Sequence, residues 1–202
     1  MRKERKTGRL IRKRIFLICE GAKTEPNYFK SLINDCNFVG KPIEIIVVNT
    51  LKNTPKELVF EVFNRKELGI DETWVVFDRD GYTKHKETFA LAEELKVNIA
   101  FSSISFEIWI LLHFTYIKSM FKESNQIIEF MKRRKFISFR KNDPNIYYKI
   151  KHLTEKAIKN AVKLRDAQFS KHPSKKFYEF NPITNVDILV KNILNLKILY
   201  KK

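Results

Sequence analysis

Three acidic residues stand at the ends of two apolar runs. Glu20 closes Ile15-Phe16-Leu17-Ile18-Cys19 and is followed by Gly21; Asp78 and Asp80 close Thr73-Trp74-Val75-Val76-Phe77, with Arg79 between them and Gly81 after. Runs of strand length that stop at carboxylates and a glycine are how an α/β sheet presents polar groups at its carboxyl edge. Alternation along a strand turns Asp78 and Asp80 the same way and Arg79 elsewhere, toward phosphate or simply toward solvent. Carboxylates converging from two neighbouring strands form a hard oxygen site suited to Mg²⁺ or Mn²⁺. Such an ion stabilises charge growing on phosphoryl oxygens and lowers the pKa of an attacking water.

Further acids surround this set. Glu107 and His113 are the side chains with a clear acid/base role in a stretch, Ile104 to Ile117, that is apolar on nearly every face. A helix of that kind is buried, and a carboxylate in it needs a cation, a hydrogen-bond donor or an active site. His113 lies six positions on, about 240° around an ideal helix, so the two do not form a dyad and the histidine reads as structural. Glu25 either reaches the pocket of Glu20 or favours the positive end of the helix starting near Pro26. Lys23, in the loop after Glu20, could neutralise transition-state charge or be a surface lysine. Cys19 reads as a small core residue, and with Cys36 it makes neither a zinc pattern nor a disulfide framework.

The elements that must position these groups alternate. Strands are expected at Ile15 to Cys19, Ile43 to Val48, the run carrying Asp78, and Val97 to Phe101. Helices are expected at about 26–37, from the capping box Thr54-Pro55-Lys56-Glu57 to Leu68, and at 84–95. That order calls for a mostly parallel sheet with right-handed crossovers. Beyond Ser105, helical periodicity fills 118–134, 154–169 and 184–199, with Thr154 and Thr184 as expected N-caps. The chain thus divides into a basic arm (1–14), an α/β core (15–117) and a basic helical elaboration packed on it (118–202). No G-x-G-x-x-G or G-x-x-x-x-G-K-[ST] pattern occurs, which argues against dinucleotide or P-loop binding.

The charge of +17 is unevenly placed. Residues 1–14 carry a net +7, 15–117 a net −4 and 118–176 a net +12. The acidic motif therefore sits between basic segments, as suits a polyanion held near metal-screened carboxylates, although plain solubilising charge accounts for the same excess of lysine. Lys132, Arg133, Arg134, Lys135, Arg140, Lys149 and Lys151 are interleaved with Phe136, Phe139, Tyr147 and Tyr148. Cations track phosphate and exposed rings stack on unpaired bases, which fits RNA or single strands, while each ring taken singly reads better as core. No apolar run reaches the roughly 18 residues of a membrane span, and Ile15 to Cys19 is too short for a signal-peptide core. A soluble, cytoplasmic protein is expected.

Four blocks in order, Glu20-Gly21 with Lys23-Thr24-Glu25-Pro26-Asn27-Tyr28-Phe29, Val76-Phe77-Asp78-Arg79-Asp80, Phe106 to Phe114, and Asn181-Pro182-Ile183-Thr184-Asn185-Val186, resemble the RloB family. That family is a Toprim-like group found beside bacterial restriction and abortive-infection genes. The resemblance implies a Toprim-like α/β fold, acid/base or metal work for Glu20, metal ligation by Asp78 and Asp80, and a site role for Glu107. It also implies an antiphage nuclease cleaving host RNA such as tRNA, restrained by an AAA-type or ABC-type ATPase partner. A homo-oligomer is compatible with the same reading. Two rivals remain at this level: a regulatory subunit that binds metal and nucleic acid without hydrolysis, and a Toprim enzyme that processes DNA.

Overall fold

The computed structural model describes residues 13–50, 52, 54–66, 70–79, 81–137 and 141–200. Strand and helix alternate as β1 Lys13–Cys19, α1 Thr24–Cys36, β2 Ile43–Asn49, α2 Pro55–Lys66, β3 Glu72–Asp78, α3 His85–Glu94 and β4 Asn98–Ser103. The remaining elements are α4 Glu107–Leu112, α5 Ser124–Arg133, α6 Ile146–Ile150, α7 Thr154–Lys171, the two-residue β5 Ile183–Thr184, and α8 Val186–Leu199. The sheet runs β2-β1-β3-β4-β5; its first four strands are parallel and β5 joins the edge of β4 antiparallel. This is the mostly parallel, helix-flanked α/β sheet with a C-terminal helical elaboration that the sequence and the Toprim-like resemblance lead one to expect.

The strands read as unbroken apolar runs because both faces of the sheet are covered. Ile15, Leu17, Cys19, Trp74 and Val76 pack on one face, with Tyr28, Phe29 and Leu32 of α1 and the apolar sides of α4 to α8. Phe16, Ile18, Val75 and Phe77 pack on the other, against Leu58, Val59 and Val62 of α2 and Ala92 of α3. At about 25 cal/mol per Å² of apolar surface, these two layers are the main source of stability.

The connections explain why the carboxylates meet where they do. From β1 the chain crosses to β2 on one side with α1 on one face, then returns past β1 to β3 and β4 with α2 and α3 on the opposite face. Right-handed crossovers require this change of face when the direction reverses. The carboxyl ends of β1 and β3, adjacent in mid-sheet, therefore border the crevice at which open α/β sheets bind ligands.

Several expected boundaries are corrected. β1 begins at Lys13 rather than Ile15, and Lys13 pairs with Glu72 (3.3 Å) and Arg14 with Glu44 (3.0 Å). α1 begins at Thr24, which puts Glu25 in its first turn. The helix expected at 118–134 is shortened to 124–133: Asn181 Nδ2 donates to the Phe121 carbonyl (2.7 Å), and the Lys122 N–H donates to Gln126 Oε1 (2.8 Å), so side chains serve groups a helical turn would have served. Thr154 is the first helical residue of α7, with its hydroxyl donating to the Lys151 carbonyl, and so is not an N-cap. Thr184 lies in β5, and α8 starts two residues after it. Of the Thr54 capping box one bond is seen, Thr54 Oγ1 accepting the Glu57 N–H at 3.4 Å, and the same hydroxyl donates to Glu57 Oε2 at 2.8 Å.

Candidate active site

Glu20 leaves β1 in register with its neighbour. Its N–H donates to the Val76 carbonyl (2.9 Å), and its Oε2 accepts the Asp78 N–H at 3.3 Å. Asp78 is the last residue of β3, with the parity of Trp74 and Val76, which face the layer formed by α1 and α4. Gly21 lets the chain turn close beneath α1: a Cβ there would stand 1.9 Å from Glu25 Oε2. Glu107 opens α4 and is 3% exposed, which answers the cost of a carboxylate in that apolar stretch by placing it in the site. The four acids, Glu20, Glu25, Asp78 and Glu107, line one cavity of about 410 Å³ with Lys23 and Lys141. Asn142 joins from the loop after α5, where its Oδ1 accepts the Thr24 hydroxyl at 3.3 Å.

Crowding acids out of water changes their titration. Burial lifts the Glu25 carboxyl from 4.5 to about 7; the negative charges of Glu107 and Glu20 add to the rise, while its backbone hydrogen bond and Lys141 oppose it. Burial likewise pushes Asp78 well above the usual carboxylate range, with Glu25 and Glu107 next in effect and the Phe106 N–H pulling the other way. Three buried oxygens of the cavity wall, Asp78 Oδ1, Ser105 Oγ and Ser124 Oγ, have no hydrogen-bond partner among the described residues. Such groups are rare in folded proteins and mark a place where a proton, ion or ligand belongs.

The residue set fits a hard divalent ion in chemistry: the donors are oxygens, and one Asp78 oxygen is buried and unpaired. Among the described residues, however, no three acids or histidines stand close enough to hold an ion as they are placed. Asp80, expected as a ligand beside Asp78, lies outside the described residues.

Sequence reasoning left Glu25 undecided, and the structure puts it in the pocket. It missed Lys141, Asn142, Ser105 and Ser124, whose arrival depends on loops carrying no local motif. Lys23 lies exposed on the cavity wall. Among the described residues, the expected nucleic-acid cations do not line this cavity. Lys132, Arg133, Arg134 and Lys135 are exposed at the end of α5, with the Arg134 guanidinium 5.6 Å over Phe130. Lys149 pairs with Asp143 and Lys151 with Asp35, each at 2.5 Å; Arg140 and Phe139 lie outside the described residues. Of the three interleaved rings among the described residues two are structural: Phe136 stacks on Phe114 at 5.5 Å, and buried Tyr147 donates to Asp35 Oδ2, whereas Tyr148 is 44% exposed.

His113 and Cys19 are core residues. His113 Nδ1 donates to the Trp109 carbonyl (3.0 Å), and burial lowers its pKa to about 4. Cys19 is buried, and burial pushes its thiol up. The Asn181-Pro182-Ile183-Thr184-Asn185 block is architectural: Asn185 Oδ1 accepts the Phe101 N–H (2.6 Å) and its Nδ2 donates to the Ile99 carbonyl (2.9 Å), fixing β5 to β4. The ordered blocks thus divide into three that build the cavity and one that closes the sheet edge.

No curated protein and no solved structure matches the chain. Among the described residues no helix is long and apolar enough to cross a membrane. The pattern that defines RloB-like proteins matches residues 15–193, which span both the acidic cavity and the block that closes the sheet; the chain belongs to the RloB-like protein family.

Proposed function

We propose that this protein is a metal-dependent phosphodiesterase of the Toprim type that cuts nucleic acid, with host RNA such as tRNA the first substrate to test. The observation that carries the reading is the gathering of Glu20, Glu25, Asp78 and Glu107 around one cavity at the sheet's topological switch point. Glu20, Asp78 and Glu107 would hold Mg²⁺ or Mn²⁺, with Asp80 as the resemblance assigns it; when bound, the ion supplies charge stabilisation at phosphoryl oxygen and a more acidic water. Glu20 accepts the Asp78 N–H, which holds its carboxylate at the end of β3. Glu25, lifted to about 7, keeps a proton to neutral pH and is suited to hand it to a departing oxygen. Lys23 and Lys141 offset charge on the phosphate. The family setting supports a cytoplasmic role in antiphage defence, with an AAA-type or ABC-type ATPase partner as the restraint, since the chain has no P-loop of its own.

The test is cleavage of labelled RNA and single-stranded DNA by purified protein with Mg²⁺ or Mn²⁺, together with its neighbouring ATPase where one is encoded. Wild type should cut, and folded Glu20→Ala and Asp78→Asn should lose at least about a hundredfold in rate, the scale of one electrostatic group in a dry site. Uncut substrate under all these conditions would favour the second reading, a binding subunit that holds metal and nucleic acid without hydrolysis. The specific observation on that side is that no three of the described acids form a ready ion cage.

A further inference from the structure

A second cleft, about 490 Å³ in volume, lies beside the acidic cavity and has the opposite charge. Its lining includes Arg79, Lys118, Lys171, Lys175 and His172. Lys118, Lys171 and Lys175 are exposed, and none of them nor Arg79 has a carboxylate partner among the described residues. The Lys175 ammonium stands 5.9 Å over the Phe180 ring. The one acid among the described lining residues, Glu179, is engaged locally, its Oε2 accepting the Lys176 N–H at 2.6 Å. Asn181 Oδ1, also in the lining, is buried without a hydrogen-bond partner among the described residues. Surface lysines usually gain acid partners or lie dispersed in solvent; here four cations from three chain segments share one concavity, which concentrates positive potential.

The two clefts are lined by residues that neighbour one another along the chain. Asp78 lines the acidic cavity and Arg79 the basic cleft; Ser105 lines the first and Ile104 the second; Ser124 lines the first and Lys118 and Met120 the second. Three separate segments thus pass from one cleft into the other within a few residues. Along β3, alternation has the same effect, sending consecutive side chains to opposite sides.

We infer that the basic cleft is the seat for the backbone of a single-stranded nucleic acid, whose neighbouring phosphodiester then lies in the acidic cavity. This rests on the nuclease reading and names how the substrate is held. It assigns the primary phosphate contacts to Arg79, Lys118, Lys171 and Lys175 rather than to the cations at the end of α5. A concave cleft with cations on two sides suits one flexible backbone, and the exposed Met120 side chain (74%) at its rim offers an apolar surface to an unpaired base.

The experiment is fluorescence anisotropy of a labelled mixed-sequence single-stranded RNA, titrated with the full chain in EDTA at several salt concentrations, so that binding is read without cleavage. Lys118→Ala/Lys171→Ala/Lys175→Ala should bind at least tenfold more weakly at moderate salt, with the log–log salt slope reduced by about 2, as expected for three lost contacts on a single strand. The Lys→Arg triple variant should retain wild-type affinity and slope, with circular dichroism confirming that both variants fold. A folded alanine variant with unchanged affinity and slope, or a wild type that does not bind, overturns the inference. Loss of binding in the alanine variant upholds it even if wild type never cuts RNA in Mg²⁺, an outcome that would instead overturn the nuclease reading.

Discussion

Arg165–Asp187 and the Glu25–Asp78–Glu107 group are two places where the fold takes charge out of water, and they treat it in opposite ways. Asp187 is fully buried, yet both its oxygens meet the Arg165 guanidinium, and Arg165 also donates to the Thr184 carbonyl at 2.7 Å. Every strong group there has a partner, and the pair fastens α7 to α8 beside β5. In the acidic cavity the carboxylates face one another, and Asp78 Oδ1 is left with no hydrogen bond among the described residues. Satisfied buried charge holds a structure in one arrangement, whereas unsatisfied buried charge is kept for something that arrives.

Breaking the satisfied pair should have the largest effect. Asp187→Ala leaves a largely covered guanidinium without its acid and should cost about 3 kcal/mol of stability in denaturant unfolding. A loss under 1 kcal/mol would mean that the helices are held by apolar packing alone. Next in size, and opposite in sign, is Glu25→Gln. Below pH 4.5 Glu25 is protonated in both folded and unfolded chains and costs nothing. Between pH 4.5 and about 7 the unfolded chain ionises first, so the metal-free fold loses stability as pH rises, with the full penalty present above 7. Glu25→Gln should therefore stabilise the metal-free protein at pH 8 by up to about 3 kcal/mol and flatten that part of the pH profile. A variant less stable than wild type at pH 8 would show that the carboxylate already has a cation partner. The smallest effect is expected at Ser105, whose buried hydroxyl has no partner: Ser105→Ala should change stability by less than about 0.5 kcal/mol, or raise it.

The same contrast governs what was legible in the sequence. Glu20 and Asp78 could be read from it because each ends an apolar run, and the run itself forces a buried strand with a polar end. Glu107 was legible because a carboxylate in an all-apolar helix demands a reason. Glu25 stayed open, since its place depends on α1 starting at Thr24 and on the close approach that Gly21 permits. β5 was not legible, and Thr184 reads as the N-cap of the last helix, because two residues carry no strand period; they are set by Asn185, which bonds to β4 some 85 positions away in sequence. The basic cleft was invisible for the same reason: Arg79, Lys118 and Lys171 are scattered along the chain and meet only after folding, whereas the compact run Lys132-Arg133-Arg134-Lys135 draws the eye without lining either cleft.

Calorimetric titration of Mg²⁺ or Mn²⁺ into the metal-free protein at pH 7.5 shows whether the acidic cavity takes up a cation. Wild type should bind saturably and release protons, because the ligand Asp78 is held well above its usual range until positive charge arrives. A folded Asp78→Ala/Glu107→Ala variant should show neither the binding nor the proton release. Equal binding by the two proteins, or a wild type that takes up no ion at millimolar metal, would contradict the account.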